Sequence, residues 1–152
     1  MKIAINGFGR IGRHVLRAAI ETGNDQLEII AVNDLAPIET LAHLLKYDSV
    51  HGTAAFDVTI ENERLVVNGM SIDVCRQASP TDLPWGKMGV DLVMECTGRF
   101  VSRTDAAQHI DAPETKHHFT PGILTQRELG SYLRASPGPP KLIYRKIRQA
   151  EK

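Results

Sequence analysis

Residues 2–12 read Lys2-Ile3-Ala4-Ile5-Asn6-Gly7-Phe8-Gly9-Arg10-Ile11-Gly12, and residue 34 is an aspartate. Ile3 to Ile5 reads as a buried strand. Arg10 to Thr22 carries Ile11, Val15, Leu16 and Ala19 on one helical face, with Gly23 just past its end. Gln26 to Val32 is the next strand, apolar enough for burial on both faces. Together they form a β-α-β unit of about 30 residues, the size of a right-handed parallel crossover. The glycines between the first strand and the helix are spaced G-x-G-x-x-G, the layout of a dinucleotide site. Gly7 serves the tight turn, Gly9 the approach of a pyrophosphate to the backbone, and Gly12 close helix-strand packing. The N–H groups at Arg10 and Ile11, with the helix dipole, face the anion. Asp34 lies 22 residues after Gly12, at the strand end where an acid accepts from the ribose hydroxyls. Its charge repels a 2′-phosphate, so the expected cofactor is NAD rather than NADP.

Further along, Pro37 suits the first turn of a helix whose apolar face, Ile38, Leu41, Leu44 and Leu45, lasts to about Tyr47. Asp48 to Ala54 is a polar loop, after which the period changes to two. Phe56 to Ile60, Leu65 to Val67 and Met70 to Val74 read as an antiparallel meander, with Asn68-Gly69 turning the last hairpin. Pro80 to Gly86 is a turn with one helical turn, and Val90 to Cys96 is a buried strand ending at Thr97-Gly98. Ser102 with Asp105 caps a helix to about Ile110. The plan is α/β: a Rossmann-like, doubly wound, mostly parallel sheet with an inserted antiparallel meander, incomplete at its C-terminal side.

Composition supports a globular chain, with 42% hydrophobic and 24% charged residues among 152. No run reaches the ~18 apolar residues of a bilayer span, and the N-terminal apolar stretch is too short for a secretory core. Two cysteines, Cys75 and Cys96, make no disulfide framework, so the expected location is cytoplasmic. The zero net charge hides an asymmetry: residues 1–112 hold 10 Lys/Arg against 15 Asp/Glu, and 113–152 hold 8 against 3. Five of the eight prolines also fall in the last 40 residues. The division expected is a partial NAD-binding domain, 1–112, and a basic, Pro-rich tail, 113–152. Thr125 with Glu128 forms a capping box in that tail, and Lys141 to Ile147 reads as a short strand or frayed helix.

Asn6 to Arg13, Asn33-Asp34, Leu44 to Gly52 and Glu95-Cys96-Thr97-Gly98 occur in an order and spacing that resembles the phosphorylating glyceraldehyde-3-phosphate dehydrogenases, with erythrose-4-phosphate dehydrogenase a close relative. The resemblance covers about residues 1–112. It implies that the backbone of Arg10 and Ile11 meets the pyrophosphate, that Asp34 takes the adenosine ribose, that Arg76 flanks the adenine side, and that Thr97 and Gly98 lie against the cofactor. It also implies NAD-dependent oxidoreduction of a phosphorylated aldehyde.

The family pattern breaks at Pro113. The next parallel strand and the Ser-Cys-Thr-Thr-Asn segment of the nucleophile are both expected to be missing, which leaves the edge of Val90 to Cys96 open to self-association unless Ile143 to Ile147 covers it. A reading-frame shift or a truncated gene copy would produce such a break. Cys96 is read as a small buried hydrophobe and not a nucleophile. No catalytic residue is assigned, and His117-His118 lacks the ligand spacing of a metal site. The basic tail residues Lys141, Arg145, Lys146 and Arg148 read as an extension more than a nucleic-acid footprint. The chain is therefore expected to be the NAD-binding portion of such a dehydrogenase, inactive by itself, or alternatively a non-catalytic nucleotide-binding or interaction module.

Overall fold

A computed structural model describes residues 1–23, 27–49, 52–100, 105, 108–109 and 118–121. Its elements are β1 (Lys2–Asn6), α1 (Arg10–Thr22), β2 (Glu28–Asn33), α2 (Ile38–Lys46), β3 (Tyr47–Asp48), β4 (Gly52–Thr53), β5 (Val58–Glu61), β6 (Arg64–Val67), β7 (Met70–Cys75), a 3-10 turn (Pro80–Asp82), β8 (Leu92–Glu95) and β9 (His118–Pro121). The main sheet has the order β5-β6-β7-β2-β1-β8-β9. β1 lies parallel to both β2 and β8, and β7 is parallel to β2 but antiparallel to β6. The last meander strand is therefore also the third strand of the parallel plan. The chain winds outward from β1 through β2 to β7 and then returns to β8 on the other side. The strand order thus reverses at β1, and its carboxyl end is the place where such sheets bind ligands.

Alternation along β1 and β8 separates two cores. Ile3, Ile5, Leu92 and Met94 face a cluster shared with Leu16 of α1 and Ile38, Leu41 and Leu45 of α2. Ala4, Ala31 and Val93 face the other side, covered by Leu83, Trp85 and Val90. In β2 the alternation slips. Ile3 pairs with Ile29 but Ala4 with Ala31, a bulge at Ile30 that lets Ile29 and Val32 share one face.

Helix α1 ends as expected, with Gly23 in the left-handed region (φ 57°) returning its N–H to the Ile20 carbonyl. Asn68-Gly69 turns its hairpin with both φ positive, 50° and 82°. The β5–β6 hairpin turns on Asn62-Glu63, also at positive φ, between the expected strands Phe56 to Ile60 and Leu65 to Val67.

Two expectations are corrected. Asp48 to Ala54 is not simply a loop, because Tyr47–Asp48 pairs antiparallel with Gly52–Thr53. The buried Arg17 organises this corner, donating from Nη2 to the Leu45 carbonyl at 2.6 Å and reaching those of Lys46 and Gly52 at 3.4 Å. The expected absence of a strand beyond Pro113 is likewise overturned: β9 runs parallel to β8, with Leu92 opposite His118 and Glu95 opposite Pro121. Pairing here satisfies the main-chain groups on the β8 edge, a requirement that side-chain periodicity does not display. The sheet thus extends past residue 112, and β8 has no open edge. The helix expected from Ser102 lies largely outside the described residues, though Gln108 N–H returns to the Asp105 carbonyl at 3.3 Å. The capping box at Thr125, the segment Lys141 to Ile147 and the His117 half of the histidine pair also lie outside them.

Candidate functional site

The turn after β1 is held by its second residue. Phe8 is fully buried by its ring. Its N–H donates to Asp34 Oδ2 at 2.9 Å, and its carbonyl accepts from Arg13 Nη1 at 3.0 Å. Asp34 Oδ1 accepts the Ala36 N–H at 3.0 Å. Each carboxylate oxygen keeps further lone-pair capacity for an incoming hydroxyl.

The glycines divide the work. Gly7 has φ 90°, and a Cβ there would stand 2.6 Å from the Thr97 nitrogen, so the turn presses on the end of β8. At Gly12 a Cβ would lie 2.2 Å from the Gly7 carbonyl oxygen and 3.0 Å from Ile5 Cγ2. At Gly9 it would meet nothing within 4 Å. Gly9 is not required by protein packing, and it lines an open cleft of about 240 Å³. It is also the N-cap of α1, which has no side-chain cap and no acid in its first turn. The helix therefore presents its N-terminal N–H groups and dipole to that cleft with no side-chain cap and no acid in its own first turn to neutralise them. A cradle that a methyl group would fill, a helix N-terminus and a carboxylate with spare acceptor capacity together fit a dinucleotide.

The same cleft is lined by Asn6, Gly7, Gly9, Asn33, Asp34, Leu35, Gln77, Ala78, Thr97, Arg99 and Phe100. The structure thus gathers Gly7 and Gly9, Asp34, and Thr97 from three separate stretches of chain, with Gly98 next to Thr97 at φ 71°. Arg10 and Ile11 open the helix above it. Arg76 is set apart, exposed on an adjoining cleft with Pro37, Ile38, Glu39, Ile60, Glu63 and Val74. Sequence reasoning missed Asn6, Asn33, Gln77 and Phe100. Asn33 Nδ2 donates to Asn6 Oδ1 at 2.7 Å and to the Gln77 carbonyl at 2.9 Å, while the Gln77 N–H donates to Asn33 Oδ1 at 2.9 Å. Asn6 and Asn33 stand in the motifs quoted above, but nothing local marks their hydrogen-bond network, because it joins β1, β2 and the segment after β7.

Neither cysteine is activated. Burial, and then the neighbouring Glu95, push the Cys96 thiol up to about 12. Burial and then Asp73 also raise Cys75. A reactive thiol has the opposite signature. Among the described residues no group of three His, Cys, Asp or Glu could hold a metal, and no helix is long and apolar enough to cross a membrane.

A reversing parallel sheet with a glycine turn, a helix N-terminus and an acid at the next strand end defines a nucleotide-binding α/β domain of the Rossmann type. The model of the glyceraldehyde 3-phosphate dehydrogenase NAD-binding domain matches residues 1–103. The chain is 53% identical over 116 residues to the glyceraldehyde-3-phosphate dehydrogenase of Geobacillus stearothermophilus, covering 76% of this chain and 34% of that protein. It is 51% identical over 116 residues to glyceraldehyde-3-phosphate dehydrogenase 1 of Bacillus subtilis, with the same shares of the two chains. Against the plasmid-borne enzyme of Cupriavidus necator it is 51% identical over 111 residues, 72% of this chain and 33% of that one. The chain belongs to the glyceraldehyde-3-phosphate dehydrogenase family and carries that family's NAD-binding domain. It spans about a third of the length of the relatives it matches.

Proposed function

We propose that the chain binds NAD across the cleft at the β1 switch point and is, by itself, a nucleotide-binding unit without dehydrogenase activity. The observation that carries the reading is the bond from Phe8 N–H to Asp34 Oδ2, 2.9 Å, which fixes the ribose-accepting acid against the phosphate turn. In this reading the pyrophosphate meets the backbone at Gly9, Arg10 and Ile11, with Gly7 and Gly12 shaping the turn. Asp34 accepts from the adenosine ribose, Arg76 flanks the adenine end from the adjoining cleft, and Thr97 and Gly98 bound the other side. NAD, when bound, would supply the hydride acceptor that the family's oxidation of a phosphorylated aldehyde in carbohydrate metabolism requires, a reaction this chain does not complete by itself.

The family's Ser-Cys-Thr-Thr-Asn segment does not occur among these 152 residues. With Cys75 and Cys96 both held as thiols, neither cysteine substitutes for that nucleophile. The free state of both cysteines supports a reducing, cytoplasmic setting. Self-association through the edge of β8 is not part of the reading, since β9 occupies that edge. No nucleic-acid role is built on the tail.

Calorimetric titration of the full chain tests the binding. NAD should bind in the micromolar-to-millimolar range and NADP at least tenfold more weakly, and Asp34→Asn should narrow that difference. Equal or tighter binding of NADP would refute the role of Asp34. NADH formation by the purified chain with glyceraldehyde 3-phosphate, phosphate and NAD would refute the inactivity.

A further inference from the structure

One carboxylate behind the cleft holds several of its walls. Glu95, the last residue of β8, is 5% exposed, and His109 is fully buried. Glu95 Oε1 accepts the Thr97 N–H at 2.7 Å and also the Thr97 hydroxyl. Its Oε2 accepts Asn6 Nδ2 at 2.6 Å and lies 3.0 Å from His109 Nε2. A carboxylate offers about four acceptor sites, and these contacts engage all of them.

The orientation of Asn6 follows from its other bond, since Oδ1 accepts from Asn33 Nδ2 and Nδ2 must therefore donate. The 3.3 Å approach of Asn6 Nδ2 to His109 Nε2 is then two donors converging on one Glu95 oxygen. The His109 ring in turn stands edge-on to Phe100, centroids 6.0 Å apart. Asn6, Asn33, Thr97 and Phe100 all line the cleft, whereas Glu95 and His109 do not.

We propose that Glu95, braced by His109, is a positioning residue of the nucleotide site: it sets Thr97 and Asn6, and through His109 Phe100, in the places from which they bound the cofactor. The inference rests on the NAD reading above. A glutamine cannot replace Glu95 without loss. If its oxygen keeps both Thr97 donors, its NH2 group meets the Asn6 NH2, donor against donor.

The experiment is calorimetric titration of the full chain with NAD, combined with NMR of the Thr97 amide proton. Glu95→Gln is expected to weaken NAD about tenfold, which is about 1.4 kcal/mol. Thr97→Val should weaken it similarly, and the double variant should lose little more than either, because both cut the same link. The Thr97 amide should move upfield in Glu95→Gln as its short bond to a carboxylate is lost. Glu95→Gln that melts earlier but binds NAD within twofold of the parent would overturn the inference, leaving Glu95 a stabiliser of the fold alone. Fully additive losses would overturn it too. Should Glu95→Gln fail to fold, Thr97→Val decides, and unchanged NAD affinity counts against the proposal. If the parent chain binds no NAD, the proposed function falls, and the amide shift then decides separately whether Glu95 positions Thr97.

Discussion

Gly12→Ala and Gly9→Ala differ by one methyl group each and should have opposite consequences. At Gly12 the new Cβ would stand 2.2 Å from the Gly7 carbonyl oxygen, where ordinary contact begins near 3.4 Å, so about 1.2 Å must be found. The obstacle is backbone in a turn pinned on both sides, by Phe8 N–H on Asp34 and by Arg13 on the Phe8 carbonyl. Overpacking of this kind costs about 1–3 kcal/mol, and the rigidity of the turn places the cost at the upper end. Alanine recovers up to ~1 kcal/mol in helix propensity. The net loss is about 2 kcal/mol, or a fall in Tm of roughly 4–8 °C for a chain of this size. At Gly9, which lines the cleft, the methyl meets no protein atom within 4 Å. Its folding cost stays within about 1 kcal/mol, the scale of exchanging an N-cap residue, while NAD affinity should fall more than tenfold. Thermal melts and NAD titrations of both variants make the comparison. A Gly12→Ala Tm within 1 °C of the parent, or a Gly9→Ala chain that binds NAD as well as the parent, would refute the division of labour between packing and binding.

Three further outcomes are expected. The Cys96 thiol, raised from 9.0 to about 12, keeps its proton in the folded chain where the unfolded chain has lost it. Its contribution to stability is therefore complete below pH 9 and is lost between about pH 9 and 12 at up to about 1.4 kcal/mol per pH unit. Denaturant melts from pH 8 to 10.5 should show a shallower decline for Cys96→Ala than for the parent, and identical slopes would contradict this. Arg17→Met removes the donor to the Leu45 carbonyl while keeping much of the buried stem, and should cost about 1.5–3 kcal/mol. Hydrogen exchange should then accelerate at the end of α2 and in β3–β4, and an unaltered pattern would sink the bracing role of Arg17. Trp85→Ala empties the centre of the second core and should cost about 3–5 kcal/mol by urea denaturation, with a loss below 1 kcal/mol counting against that core.

Local chemistry made much of this architecture legible. The three glycines, Gly23 and Asn68-Gly69 each answer a backbone requirement within a few residues of themselves, and the apolar runs of β1, β2 and β8 announce burial directly. The motifs from Asn6 to Gly98 likewise identified the family, because each sits in one short stretch. Features that depend on partners far along the chain were not legible. The bulge at Ile30 arises from how β2 must meet β1, and β9 forms because β8 has main-chain groups to satisfy, whatever side chains the strand carries. Arg76 falls on the adjoining cleft because β7 delivers it there, one residue before Gln77 turns into the nucleotide cleft. Residues 95 and 109 carry no spacing that links them, yet His109 Nε2 lies 3.0 Å from Glu95 Oε2 behind the cleft. The sequence set the turn, the acid and the strands in order. The fold chose their polar neighbours, since a hydrogen bond between strands depends on which chain segments the sheet brings side by side.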